Sequence, residues 1–241
     1  MVIYYFMLKI FENFPTKTQR GLLPVSPEGN VLELAVSWPK EDSPVAIIIM
    51  CHPNPLEGGT MDNKVVTTVI KSFNYLGALG VSFNFRGVGL SSGYSYSNSL
   101  KNSQENFNTM GEFEDLSFVA HWVRAQYPKT KIFLGGFSFG SYVAYARAGL
   151  LDKEIKLAGL LTLAPAVNRW NYEVFELPKA LDWLCIIGDQ DEIVDYQQVY
   201  DFVKKIPVSS QLIKFHETGH FFHRKLIMLQ DCLVKQYFKK I

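Results

Sequence analysis

A mostly parallel α/β sheet with helices on both faces is the fold class this sequence predicts. Short apolar runs alternate along the chain with segments of helical periodicity, the order of a sheet built from strand–helix–strand units. Several of those runs are apolar at every position, as in Val45–Met50 (VAIIIM), the pattern of a strand buried on both faces. The 241 residues, 48% hydrophobic and 20% charged, suit one large domain with a single core, spanning residues 1–241.

The elements follow in order. Residues 1–19 read as an N-terminal extension or edge strand. The apolar stretch Met1–Met7 is a first strand or, if Met7 is the true start, a leader outside the protein. It has neither a basic region before it nor a small-residue cleavage site after it, so it does not read as a signal peptide. Val31–Ser37 and Val45–Met50 are strands. A helix over Asp62–Leu79 places Val66, Val69, Ile70, Phe73 and Leu76 on one face, and Gly77 and Gly80 stop it. Val81–Phe85 is a strand, Glu112–Gln126 a helix, Lys131–Gly135 a strand and Phe139–Leu150 a helix rich in small residues. Leu157–Leu163 and Trp183–Ile187 are strands joined by a 15-residue linker, Pro165–Lys179. Asp195–Lys205 is a helix and Gln211–Phe215 the last strand. A terminal helix from Phe222 puts Leu226, Leu229, Leu233 and Tyr237 on one stripe. Ser91–Thr109, rich in Ser, Asn and Tyr, reads as a long surface loop.

Composition excludes several classes. Lys+Arg 24 against Asp+Glu 23 leaves a net charge of +1, so no basic excess draws the chain onto nucleic acid. No apolar run is long enough to span a bilayer. Cys51, Cys185 and Cys232 are odd in number and flanked by apolar residues, as small buried hydrophobes in a reducing, cytoplasmic compartment are, and they form no CxxC pair.

Ligands of such sheets bind beyond the carboxyl ends of the strands. Two G-x-S-x-G strings occur, Gly136–Gly140 around Ser138 and Gly89–Gly93 around Ser91. A nucleophile elbow needs a strand before it and a helix after it. Ser138 has both, whereas Ser91 sits in the polar loop. Gly87-Val88-Gly89 also follows a strand, but its spacing departs from a dinucleotide fingerprint and no helix follows it.

A serine hydroxyl needs a base to take its proton. His220, after the last strand and before the last helix, is favoured over His216, His223 and His52; His121 lies inside a helix. The acid that orients the imidazole should come from Gly188–Glu192, directly after an apolar strand. There Asp191 and Asp189 are the candidates, ahead of Glu192 and Asp195. The resulting order is Ser, Asp, His, as in α/β-hydrolases.

The chain resembles the α/β-hydrolase superfamily, and within it a bacterial group of small, lidless hydrolases. The matching stretches are His52–Val66 (HPNPLEGGTMDNKVV), Asn84–Gly89 (NFRGVG), Gly135–Gly140, Gly188–Asp191 and Gly219–His223 (GHFFH). The resemblance implies Ser138 as nucleophile, Asp191 as acid and His220 as base. Asn54 departs from the group's usual His. One oxyanion donor is expected from the N–H of Phe139, after the nucleophile. Pro53 and Pro55 have no N–H, so the main-chain N–H of Asn54 is the expected second donor.

The linker is too short for a large cap domain, which points to an open site. The expected activity is that of a carboxylesterase acting on a small-molecule ester or acyl substrate with no metal or organic cofactor. A thioesterase, peptidase or acyltransferase with the same residues, or a non-catalytic binding protein, are the alternatives. The sequence leaves a homodimer open.

Overall fold

The structure is a computed structural model that describes residues 9–41, 43–94 and 111–241. Met1–Met7 and most of the polar loop, 95–109, lie outside the described residues. Among those described, β1 (Lys9–Ile10), β2 (Gln19–Pro24), β3 (Val31–Ser37), β4 (Ala46–Cys51), β5 (Leu79–Phe83), β6 (Lys131–Phe137), β7 (Leu157–Leu163), β8 (Trp183–Gly188) and β9 (Ser210–Phe215) form one sheet. Its order is β1-β2-β3-β5-β4-β6-β7-β8-β9. From β5 to β9 every pairing is parallel. β3 runs antiparallel to both β5 and β2.

The helices are α1 (Lys64–Tyr75), α2 (Gly111–Gln126), α3 (Phe139–Ile155), α4 (Tyr196–Lys205) and α5 (Leu226–Tyr237). The side chains of β4 alternate between two cores. Ala46, Ile48 and Met50 pack with Val66, Val69, Phe73, Leu229 and Leu233 of α1 and α5. Ile47, Ile49 and Cys51 pack with Leu116, Val119, Tyr142 and Val143 of α2 and α3. A continuous apolar run is the consequence of covering both faces.

Several boundaries shift for local reasons. β2 carries no clear alternation and includes Gly21 and Pro24, so its six residues do not read as a strand in sequence; pairing with β3 makes it one. α1 starts at Lys64 instead of Asp62 because the Asn63 side chain caps it, accepting from Val65 N, while Asp62 pairs with Arg20 at 2.6 and 2.7 Å. β5 ends at Phe83, two residues early: Asn84 N still bonds Glu33 O of β3, but Phe85 N leaves the ladder to donate to His52 Nε2 at 3.0 Å. α3 runs on to Ile155, since Leu151 and Ile155 are buried. α5 begins at Leu226 instead of Phe222. Phe222 and Arg224 have φ of 52° and 61°, which a helix does not tolerate.

The chain leaves β4 toward β5 on one side and later returns to β6 on the other. This reversal of strand order opens a crevice at the carboxyl ends of β4 and β6. The connection from β7 to β8 contains one short 3-10 turn (Tyr172–Val174) and no inserted domain. No helix among the described residues is long and apolar enough to cross a membrane.

Candidate active site

Ser138 stands between β6 and α3 with φ 54° and ψ −116°, a conformation that costs free energy for any residue with a Cβ. Its N–H bonds Leu163 O of β7 at 2.8 Å, which helps hold the turn. The flanking glycines are required by close approach. A Cβ on Gly136 would lie 2.0 Å from Gly140 O, and one on Gly140 would lie 2.3 Å from Cys51 O. Ser141 ties the same knot from the helix side: its Oγ lies 2.7 Å from Gly136 O and 2.8 Å from Leu163 O, and accepts from Leu163 N at 3.1 Å.

His220 reaches this serine from the loop after β9. Its Nε2 is 3.0 Å from Ser138 Oγ. Its Nδ1 is 2.8 Å from Asp191 Oδ2 and 3.1 Å from Oδ1. An ionised carboxylate only accepts, so Nδ1 carries the proton and Nε2 is left to accept from the serine hydroxyl. Asp191 Oδ1 also accepts the N–H groups of Ile193 (2.9 Å) and Val194 (2.8 Å), which fix the carboxylate in its own turn. The side chains of His220 and Asp191 are 2% and 0% exposed, and Ser138 is 7% exposed. Solvent therefore competes little for these bonds. Phe137 and Phe221 flank the imidazole, each with its centroid 5.1 Å away.

The alternatives left by sequence separate cleanly. Asp189 bonds His216 Nδ1 at 2.7 Å, and that hydrogen bond holds its carboxyl below the usual range. This pair stands apart from the buried row. His121 sits against Glu154 at 3.1 Å, and His223 is exposed. Ser91 is a structural residue: its Oγ donates to Asn84 O at 2.7 Å and accepts Glu33 N at 2.9 Å.

His52 is fully buried and neutral. Nδ1 donates to Pro53 O at 2.7 Å, and Nε2 accepts Phe85 N at 3.0 Å. Burial pushes its pKa down to about 4, against the smaller upward effect of the Pro53 carbonyl. It is thus an anchor for the turn that carries Asn54. There, Asn54 O accepts Glu57 N and Gly59 N, and its side chain caps the short turn by accepting Leu56 N at 3.1 Å. Phe139 is buried at the first turn of α3. Burial raises the thiols of Cys51 and Cys185, the latter to about 12, so neither is an activated nucleophile.

Glu192 is a minor candidate for the acid in the sequence. The structure gives it a different position, accepting the backbone N–H of His220 at 3.1 Å. Only a partner 28 residues away makes that visible. In the linker, Tyr172 packs on Tyr142 and Tyr145 while Phe175 packs on Phe113 and Tyr142, so both belong to the crossover's own packing. Of these three, Trp170 alone meets the residue after Ser138, Phe139, at 5.1 Å. Arg169 pairs with Glu57 at 2.7 Å, joining the turns after β7 and β4. Among the described residues no group of three or more His, Cys, Asp or Glu is arranged to hold a metal ion.

Residues 42–186, more than half of the chain, match the family described as serine aminopeptidase, S33. A Xanthomonas campestris structure described as an α/β serine hydrolase without lid is 38% identical, with a TM-score of 0.79 over 94% of this chain and 96% of that one. A Coxiella burnetii structure described as an α/β serine hydrolase homologue is 36% identical, with a TM-score of 0.77 over 93% and 99%. An uncharacterized Rickettsia prowazekii protein is 28% identical over 83% of this chain and 80% of its own length.

Proposed function

Because the chain belongs to the α/β serine hydrolases, we propose that it cleaves carboxylic esters through an acyl-serine intermediate, with Ser138 as nucleophile, His220 as base and Asp191 as its orienting acid. The observation that carries this reading is the unbroken row from Asp191 through His220 to Ser138, at 2.8 and 3.0 Å. Ser138 Oγ attacks the acyl carbon as its proton passes to His220 Nε2. The buried Asp191 carboxylate stabilises the imidazolium that forms. His220 then returns the proton to the departing alkoxide. In the second half-reaction it takes a proton from water, which releases the acid. The N–H groups of Phe139 and Asn54 are the oxyanion donors in this scheme, each worth roughly 10²–10³ in rate. None of these steps calls for a metal or organic cofactor.

A β7–β8 connection without an inserted domain favours a small or exposed ester over a deeply enclosed lipid. The three described cysteines are free, which agrees with a cytoplasmic enzyme. A fluorophosphonate probe should label the protein, and Ser138→Ala should abolish labelling. Labelling that survives this change overturns the assignment. Near-normal turnover in His220→Ala, with loss in His223→Ala, would show that the wrong histidine is named.

The family description favours one second reading: the same residues acting on an aminoacyl amide. An amine leaves less readily than an alcohol and demands more of the imidazolium. A panel of matched esters, thioesters and aminoacyl amides separates the readings by kcat/KM.

A further inference from the structure

The opposite edge of the sheet holds a cavity of about 850 Å³, bounded by the starts of β6 and β7 and the ends of α2, α3 and α5. It is separated from Ser138 by the length of β6, roughly 20 Å. Its lining is strongly cationic. Seven of the chain's 24 Lys and Arg residues line it, with only two of its 23 acids. The rest of the chain, with 17 cations and 21 acids, is net negative.

Ordinary structural roles account for part of this charge. The Arg124 guanidinium donates to Tyr127 O, Thr130 O and Lys156 O, which satisfies carbonyls at the ends of α2 and α3. Lys131 Nζ donates to Lys240 O at 2.7 Å, and Lys240 pairs with Asp182. Glu154 is turned to His121 at 3.1 Å. Three helix C-termini add about −0.5 charge each. Subtracting them and both acids still leaves about +3.5, and a carboxylate on Ile241 would leave about +2.5.

The surplus lies on Lys129, Lys153, Lys156 and Lys239, all exposed. Among the described residues no carboxylate lies within 4.0 Å of any of them. Lys156 adds an independent observation. It has φ 52° and ψ 95°, a conformation suited to glycine. It is held there by its own N–H on Asp152 O, by Arg124 on its carbonyl, and by Leu157 N on Asp152 Oδ1 at 2.9 Å. Local backbone strain is thus borne by a residue whose side chain lines the cavity.

We propose that this cavity binds an anion of the phosphate class through Lys129, Lys153, Lys156 and Lys239. Four lysines without a carboxylate partner suit a molecule carrying several phosphate charges better than a single ion. Phospholipid headgroups share that chemistry, so the test has two arms. Calorimetry at low salt measures inorganic pyrophosphate on the full chain, and sedimentation measures uptake onto phosphatidylglycerol against phosphatidylcholine vesicles. The variant Lys153→Gln/Lys156→Gln/Lys239→Gln is compared with Lys17→Gln/Lys40→Gln/Lys71→Gln, which makes the same charge change on other surfaces. The cavity variant should weaken binding at least tenfold and the control less than twofold, with ester turnover alike in both. If the triple variant fails to fold, Lys156→Gly, which relieves the backbone, should still weaken binding about threefold. Pyrophosphate binding assigns a soluble ligand, and selective uptake onto phosphatidylglycerol vesicles assigns a headgroup. Absence of both, or equal loss in cavity and control variants, overturns the proposal.

Discussion

Acid should weaken this fold through one buried histidine, and the size of the effect follows from the structure. His52 is 0% exposed, with both ring nitrogens committed: Nδ1 donates to Pro53 O and Nε2 accepts Phe85 N. A proton on Nε2 would break the second bond and place a charge in the core, so its pKa falls from the ordinary 6.5 to about 4. In the unfolded chain it titrates near 6.5. Between these values the unfolded state binds the extra proton, so stability is full above pH 6.5 and falls as the pH drops toward 4. That fall in pKa corresponds to about 3 kcal/mol of stability lost by pH 4. Other groups also titrate there, so the measurement is a difference. Urea unfolding of wild type and His52→Gln, from pH 7.5 to 4, should show the variant less stable at neutral pH. The gap should close by about 3 kcal/mol at pH 4. Parallel stability curves across this range would refute the buried neutral imidazole. The same variant loosens the Pro53–Asn54 turn, so its ester turnover should fall even where it remains folded.

Asp191→Asn should lower kcat by about four orders of magnitude, because the amide presents the wrong group to Nδ1. Asp189→Asn, which breaks the pair with exposed His216 and leaves the bond between Asp191 and His220 in place, should leave kcat within about twofold; steady-state kinetics of both checks this. Ser91→Ala should lose about 1–3 kcal/mol in urea unfolding, since Asn84 O and Glu33 N are left unmet, while fluorophosphonate labelling stays intact. Gly140→Ala sets a Cβ 2.3 Å from Cys51 O and 2.6 Å from His52 O, both backbone atoms that cannot rotate away. It should cost at least about 1–3 kcal/mol by the same assay and reduce turnover with it.

Sequence alone determined the features that depend on local covalent pattern. The parallel core strands are legible because a strand covered on both faces must be apolar throughout, as Val45–Met50 is. The elbow is legible because only glycine fits at 136 and 140 where backbone meets backbone, and a strand and a helix must flank it. Chain order put a histidine and an acid on the same sheet edge. The choice among near neighbours needed the tertiary structure. Asp189 and Asp191 are two residues apart, and both follow β8. They differ only in where the turn points them, one to exposed His216 and the other to buried His220. Glu192 meets a backbone N–H rather than a ring nitrogen, which no residue type announces. β2 became a strand because β3 offered it a ladder. His52 stands among the candidate bases in sequence, and only the placement of its two ring nitrogens makes it a loop anchor. The cationic cavity draws its seven cations from four segments, and none of them alone carries more than two. The physical reason is common to these cases: hydrophobic period and steric need act along the chain, while hydrogen-bond choice and charge surplus depend on which distant segments meet.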